Sequence, residues 1–339
     1  MAFEIIGTGR AVPSRRVSND ELAEIIDTSD EWIRSHTGIG ARHMAGEEIA
    51  CSDLSYEAAK QALAMAFPGK TEKEAALSLD LIIVATATAD YYGTPSTACV
   101  VQDKLGAINA AAMDITVGCT GFIYGLETAA GLLSVNNGRN CALVIGSEVL
   151  SKFMDWNDRG SCVLFGDGAG AVILNKTSAP RTKKGKKGLL RTILKADGSG
   201  GRHLFFSRGG SRSPYKKGET VVEPIHVVMN GQAVYNFAVK AVTETIADIL
   251  SQEGLTEKDV SRIIPHQANA RIVQAAAKRL KIPEEKFYLN IEEYANTSAA
   301  SIPIALDELN RDGQLKPGDL ILTIGFGGGL TYGASLLAW

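Results

Sequence analysis

Short apolar runs, rich in β-branched residues, alternate along this chain with stretches whose apolar residues return every three or four positions. The runs are Leu81 to Ala87, Ala112 to Val117 and Cys141 to Gly146, then Arg262 to Pro265, Phe287 to Ile291 and Leu320 to Gly325. Runs of this length, bounded by Gly, Asn and Ser, predict strands covered on both faces. The longer spacing predicts helices over Ser96 to Leu105, Gly121 to Leu133, Arg271 to Leu280 and Ala299 to Asn310. Strands alternating with helices predict an α/β fold whose sheets are mixed and mainly parallel.

The pattern occurs twice, at an offset of about 180 residues, which marks a duplicated unit. Asp114-Ile-Thr-Val-Gly-Cys-Thr-Gly stands opposite Asn290-Ile-Glu-Glu-Tyr-Ala-Asn-Thr-Ser. Each half also holds a Gly-rich turn between strands, at Phe165-Gly-Asp-Gly-Ala-Gly and Phe326-Gly-Gly-Gly-Leu. The division predicted is residues 1–177, a basic connection at 178–190, and residues 191–339. Equivalent loops of two such halves should meet near a pseudo-two-fold axis. The polar, Gly-rich stretch from Asp197 to Glu223 has no clear period and reads as either a flap near the site or a surface excursion.

Composition narrows the classes of function. The 339 residues suit two cores, and 45% apolar with 22% charged residues predicts a packed globular chain. A net charge of -3 gives no whole-chain reason to expect nucleic acid. The start Met-Ala-Phe-Glu-Ile-Ile-Gly lacks a signal-peptide pattern, and no window approaches the roughly 20 apolar residues that span a bilayer. Five scattered cysteines without a CxxC pair suggest neither disulfides nor zinc, so a cytoplasmic setting is expected. No strand leads into GxGxxG with an acidic residue about 20 positions on, which argues against a dinucleotide-binding dehydrogenase.

Cys119 carries the sharpest chemical signal. It ends a predicted strand where a helix begins, and helix N-termini favour thiolate, the nucleophilic form. The competing reading is a small buried hydrophobe, as most free cysteines are. His266 follows the strand Arg262 to Pro265, at the end where open α/β sheets place their sites; a satisfied loop histidine is the alternative. Asn296 occupies the loop that the repeat matches to the Cys119 loop. Its amide suits either an oxyanion donor or a helix cap. Taken together, a thiol facing two hydrogen-bond donors suits thioester chemistry. The cysteine would take an acyl group, and the donors would stabilise the enolate left when a malonyl thioester loses carbon dioxide.

With these residues in place, the chain resembles the β-ketoacyl-acyl carrier protein synthase III family of the thiolase-like superfamily. The resemblance runs from end to end. It rests on Asp30-Glu-Trp-Ile with Thr37-Gly-Ile, Gly118-Cys-Thr-Gly-Phe, Asp158-Arg-Gly, Phe165-Gly-Asp-Gly-Ala-Gly-Ala, Pro265-His-Gln-Ala-Asn, Asn296-Thr-Ser-Ala-Ala-Ser-Ile-Pro and Phe326-Gly-Gly-Gly-Leu-Thr. It implies a homodimer of the five-layered αβαβα fold, with a catalytic triad of Cys119, His266 and Asn296. The implied oxyanion donors are the backbone N–H groups of Cys119 and Gly328. Trp32 and Arg159 match positions that sandwich the adenine of coenzyme A. Gln267, Ala268, Asn269, Ala270 and Arg271 match a carrier-protein contact segment, and Lys278, seven residues past Arg271, would share its helix face. The implied reaction joins an acyl-CoA primer to malonyl-acyl carrier protein without a metal or redox cofactor.

Two positions depart from the family pattern. His36 stands where the family carries arginine, which predicts a weaker hold on coenzyme A. Thr94 stands where several relatives carry phenylalanine reaching the partner's acyl pocket, which predicts room for primers longer than acetyl. The basic run from Arg181 to Lys187 reads as a solvated loop, with carrier docking as its alternative. Two competing functions share the motifs. One is a relative that transfers an acyl group to another acceptor or makes a starter unit; the other is a non-catalytic partner subunit, which the joint presence of the three residues argues against.

Overall fold

The computed structural model describes residues 2–136, 138–177 and 187–339. Residues 181–186 of the basic run lie outside the described residues. Two mixed sheets carry the duplication. In the first, β1 (Ala2–Ala11), β2 (Leu81–Ala85), β3 (Ala111–Ile115), β4 (Cys141–Glu148) and β5 (Gly168–Thr177) lie in the order β1-β5-β4-β2-β3. In the second, β6 (Gly188–Ala196), β7 (Arg262–Pro265), β8 (Leu320–Gly327) and β9 (Thr331–Ala338) lie in the order β6-β9-β8-β7. The two orders correspond strand for strand. The partner expected beside β7 shrinks to one bridge, Ile263 to Phe287.

That bridge replaces the strand predicted over Phe287 to Ile291. The segment emerges from a 3-10 turn at Glu284–Lys286 and leaves into the short helix Ile291–Tyr294. One residue alone reaches pairing register.

Parallel pairing joins β4, β2 and β3, and joins β7 to β8. The other neighbours are antiparallel. Mixed sheets were the expectation, and both sheets are mixed; in the second, a Gly-rich turn sets one antiparallel pair. Gly328–Leu330 folds β8 straight back on β9, and only a long crossover can return a strand in parallel.

Seven helices matter to the site: α1 (Asp30–Thr37), α2 (Cys51–Ala66), α3 (Thr97–Leu105), α4 (Gly121–Val135), α5 (Gly231–Glu253), α6 (Ala270–Leu280) and α7 (Ser301–Arg311). Leu54, Leu63 and Val101 of α2 and α3 cover the outer face of the first sheet. Val242, Ile246 and Val273 of α5 and α6 cover the outer face of the second. Between the sheets, Phe122, Leu126 and Leu133 of α4 meet Ile302, Leu306 and Leu309 of α7. This is the αβαβα layering. Fully burying each such side chain contributes about 1.5–3 kcal/mol.

The central pair fixes the site. A 3-10 turn, Gly118–Thr120, leads into α4, and its counterpart, Ser298–Ala300, leads into α7. The two turns touch. A side chain at Gly121 would lie 2.8 Å from Ala85 Cβ and 3.3 Å from Ala299 Cβ, so the helix N-termini come together only because glycine stands there.

Candidate active site

Cys119 lies on the turn after β3, His266 directly follows β7, and Asn296 precedes the turn into α7. All three are buried and line one cavity of about 240 Å³, which runs past Phe326 and Gly327 to Trp32 and His36. Cys119 also borders a second cavity of about 340 Å³, lined by Ala87, Leu150, Leu204, Phe205, Phe206 and Val227. The sulfur therefore lies between a channel toward Trp32 and an apolar pocket.

Backbone geometry makes this possible at two glycines. Gly118 has φ +54°, and a side chain on it would lie 2.9 Å from the Gly328 nitrogen. A side chain on Gly327 would lie 2.7 Å from Cys119 Cβ and 2.8 Å from its sulfur. Ser298, by contrast, holds φ +48° without being glycine, an unfavourable conformation that its neighbours must enforce.

Burial pushes the Cys119 thiol up to about 11; the Glu148 carboxyl adds to the rise, and the Ser298 hydroxyl and the N–H groups of Gly328 and Cys119 oppose it. The helix N-terminus had suggested a thiolate. Burial outweighs it, and the resting group is a thiol. Burial likewise pushes His266 down to about 3. At neutral pH the site holds an uncharged thiol beside an uncharged imidazole.

The imidazole is held from two sides. His266 Nδ1 lies 2.7 Å from Ser301 Oγ, and its ring meets Phe326 edge-on at 5.2 Å. Ser301 Oγ donates to the Ser298 carbonyl at 2.9 Å, and its single proton serves either that carbonyl or Nδ1. When the hydroxyl proton turns to Nδ1, Nε2 carries the ring proton and becomes a donor. Asn296 Oδ1 accepts from the Ser298 N–H at 2.9 Å. That bond uses the acceptor end of the amide, so the group is an oriented donor as well as a turn-forming residue.

The channel mouth is built otherwise. Trp32, on α1, stacks with His36 at 4.5 Å, and the Arg159 guanidinium lies 4.9 Å from the indole centre. Arg159 donates to the Asp27 carbonyl at 2.8 Å. A ring sandwiched between indole and guanidinium needs about 7 Å, two van der Waals contacts, so an adenine there would displace Arg159. Arg271 and Lys278 are both exposed on α6, where their seven-residue spacing predicts a shared face.

Gln267 differs from its neighbours. It is buried, donates to the carbonyls of Pro265 at 2.7 Å and Tyr288 at 3.1 Å, and accepts from the Asn290 N–H. Its side chain is spent inside the protein and offers nothing to a partner. Asn269 caps α6 by accepting from the Arg271 N–H and donates to the His36 carbonyl, while Ala268 and Ala270 are half-buried. Thr94 is exposed and lies in neither cavity.

Sequence reasoning missed Ser298, Ser301 and Glu148. Glu148 is fully buried at the end of β4, and burial pushes it up to about 7. A lone carboxylate closing the apolar run Cys141 to Gly146 was the available signal. It also left the role of the 197–223 stretch open. Leu204–Phe206 pairs with Val227–Met229 and lays Leu204, Phe205 and Phe206 along the apolar cavity.

Two halves of one strand order, meeting at a buried cysteine between their central helices, form the framework of the thiolase-like condensing acyltransferases. Comparison with known proteins narrows this class. The family model described as 3-Oxoacyl-[acyl-carrier-protein (ACP)] synthase III matches residues 113–198, and the model of its C-terminal part matches residues 250–339. A beta-ketoacyl-[acyl-carrier-protein] synthase III of Caldanaerobacter subterraneus is 49% identical over 340 residues, covering 100% of this chain and 98% of the relative. The crystal structure of the Aquifex aeolicus 3-oxoacyl-[acyl-carrier-protein] synthase III superposes with a TM-score of 0.87 at 42% identity, covering 99% of this chain and 100% of that one. The Pseudomonas aeruginosa counterpart gives 0.87 at 36% identity, covering 100% and 98%. The chain belongs to the 3-oxoacyl-[acyl-carrier-protein] synthase III family.

Proposed function

We propose that this chain condenses an acyl-CoA primer with malonyl-acyl carrier protein, releasing coenzyme A and carbon dioxide and yielding 3-oxoacyl-acyl carrier protein, the step that initiates type II fatty acid synthesis. The observation that carries the reading is the place of the Cys119 sulfur, between an apolar pocket and the channel lined by His266, Asn296 and Trp32. An acyl chain fits the first and a pantetheine arm the second.

In this mechanism the sulfur attacks the primer's thioester carbonyl. The N–H groups of Cys119 and Gly328 hold the oxygen as it becomes negative. Coenzyme A leaves along the channel, and the malonyl arm follows it. His266 Nε2–H and the Asn296 amide donate to the malonyl thioester oxygen while carbon dioxide departs. The enolate carbon then attacks the acyl-cysteine. The chemistry needs no further cofactor, because both thioesters bring their own activation. Carrier protein meets the basic face of α6 at Arg271 and Lys278. In the homodimer, Thr94 takes the place of the relatives' phenylalanine at the partner's acyl pocket and leaves room there for primers longer than acetyl.

The test is a panel of acyl-CoA primers with malonyl-acyl carrier protein, scored for 3-oxoacyl product and carbon dioxide. Wild type should condense primers longer than acetyl. Cys119→Ala should lose condensation and keep malonyl decarboxylation. Acyl transfer to a hydroxyl or amine without carbon dioxide release would overturn the assignment, and turnover restricted to acetyl-CoA would overturn the role of Thr94.

A further inference from the structure

A fully buried carboxylate stands one side chain away from the nucleophile. Glu148 Oε1 accepts from Ser298 Oγ at 3.0 Å; Oε2 accepts from Thr88 Oγ1 at 2.7 Å and Thr86 Oγ1 at 3.3 Å. The Ala87 N–H faces both oxygens, at 3.2 and 3.1 Å. Every neighbour on this carboxyl is a donor, so the pocket is built for an anion. Ser298 and Cys119 line the same cavity, on two turns that touch. Ser298 keeps this position at φ +48°, in the left-handed region that a non-glycine residue rarely occupies.

We propose that Glu148, acting through the Ser298 hydroxyl, receives the proton of the Cys119 thiol during acylation, leaving His266 and Asn296 for the decarboxylation step. This rests on the condensing reading above, from which it takes the acylation of Cys119.

The hydroxyl proton count supports the direction. Ser298 has one proton, and beside ionised Glu148 that proton points to Oε1. The oxygen lone pair then faces the thiol. As the sulfur bonds to the thioester carbon, the S–H proton passes to Ser298 Oγ, and the Ser298 proton passes to Oε1. The carboxyl becomes neutral as negative charge moves to the thioester oxygen, where the N–H groups receive it. When the intermediate collapses, the carbon–sulfur bond to coenzyme A breaks. The proton returns from Glu148 through Ser298 to the departing thiolate, and the carboxylate is restored.

Charge decides between this route and His266. Protonating a buried imidazole creates a cation in a dry site, whereas protonating a buried carboxylate removes an anion. Burial holds Glu148 near neutrality, at about 7, and His266 far below it, at about 3. The titratable groups facing Glu148 are the Cys119 thiol and the Cys51 thiol from α2, which burial pushes up to about 12. Asp90 acts in turn on Cys51. Glu148 is thus a positioning residue: it reaches the sulfur only through Ser298.

The experiment separates the two half-reactions in Glu148→Gln and Ser298→Ala, with thermal melts to establish folding. Acylation is followed by mass spectrometry of Cys119 after mixing with acyl-CoA. Decarboxylation is followed with malonyl-acyl carrier protein in a Cys119→Ala background. Both variants should acylate about 10²-fold more slowly, the scale of general base catalysis, with decarboxylation within twofold. The wild-type acylation rate should rise with pH through about 7, where Glu148 ionises, and Glu148→Gln should lose that inflection. Unchanged acylation in both folded variants, or an equal fall in both half-reactions, would overturn the proposal. A wild type that never acylates Cys119 would instead overturn the condensing reading.

Discussion

Around Cys119 every reacting group is buried and held by backbone turns, whereas around Trp32 and Arg159 the side chains are half-exposed and held by one another. The difference sets how each region responds to change. At the floor a group cannot move without displacing backbone, so a small steric error becomes a chemical one. At the mouth, water screens charges and side chains can shift, so single changes act on affinity.

Gly327→Ala should break the contrast hardest. The new methyl would lie 2.7 Å from Cys119 Cβ and 2.8 Å from its sulfur, closer than real Cβ contacts allow. Condensation should fall about 10²-fold or more, the scale of a 1 Å misplacement, with binding of coenzyme A at the mouth unchanged. Steady-state rates and isothermal titration with coenzyme A would check it. A variant with full activity would mean the floor is pliable.

That asymmetry also governs what the sequence disclosed. The strand-turn-helix context of Cys119, the strand end at His266 and the loop of Asn296 were legible because duplication and glycine placement constrain backbone. The Gly-rich turn at Gly328–Leu330 was visible too, and it returns the chain antiparallel within a mixed sheet. Burial was the hidden term. Gln267 read as a contact residue in Pro-His-Gln-Ala-Asn, yet it bonds the Tyr288 carbonyl and the Asn290 N–H, both reached only through tertiary packing. Ser298 and Glu148 lie 150 residues apart, and their hydrogen bond leaves no local pattern. The Cys119 ionisation was misjudged for the same reason, since local context showed the helix N-terminus and not the burial.

The second prediction sets two floor residues against each other through pH. His266 titrates near 6.5 when unfolded and about 3 when folded. Between those values the unfolded chain binds a proton that the folded chain does not. Its contribution is present above pH 6.5 and lost as pH falls toward 3. Glu148 is the reverse, near 4.5 when unfolded and about 7 when folded. Its contribution is present below pH 4.5 and lost as pH rises through 7. The two oppose each other between pH 4.5 and 6.5. Relative to wild type, His266→Gln should gain stability as pH falls from 6.5, and Glu148→Gln should gain it as pH rises from 4.5. Each slope is at most about 1.4 kcal/mol per pH unit. Urea titrations at several pH values would read the difference, and parallel curves would refute it.

At the mouth, Trp32→Ala should raise KM for acyl-CoA about tenfold, since base–aromatic stacking contributes about 1–3 kcal/mol. kcat should stay within twofold, because the indole's ring contacts among the described residues are with His36 and Arg159 and not with the reacting groups. A fall in kcat with KM unchanged would tie the indole to the chemistry and erase the distinction between the two regions.

The smallest effect belongs to the outer helix face. Arg271 and Lys278 project from α6 into solvent, one helical repeat of seven residues apart. Attraction between such exposed charges and an acidic carrier protein is screened over about 8 Å at physiological ionic strength. Reversing both, with Arg271→Glu and Lys278→Glu, should raise KM for malonyl-acyl carrier protein several-fold at low salt. The effect should fade in 0.5 M salt, where screening is shorter still, and KM for acyl-CoA should not move. That salt dependence distinguishes a screened surface from the buried amide of Gln267 nearby, whose loss would act on folding at every ionic strength. A KM that ignores both the charge reversal and the salt would place the carrier protein elsewhere on the molecule.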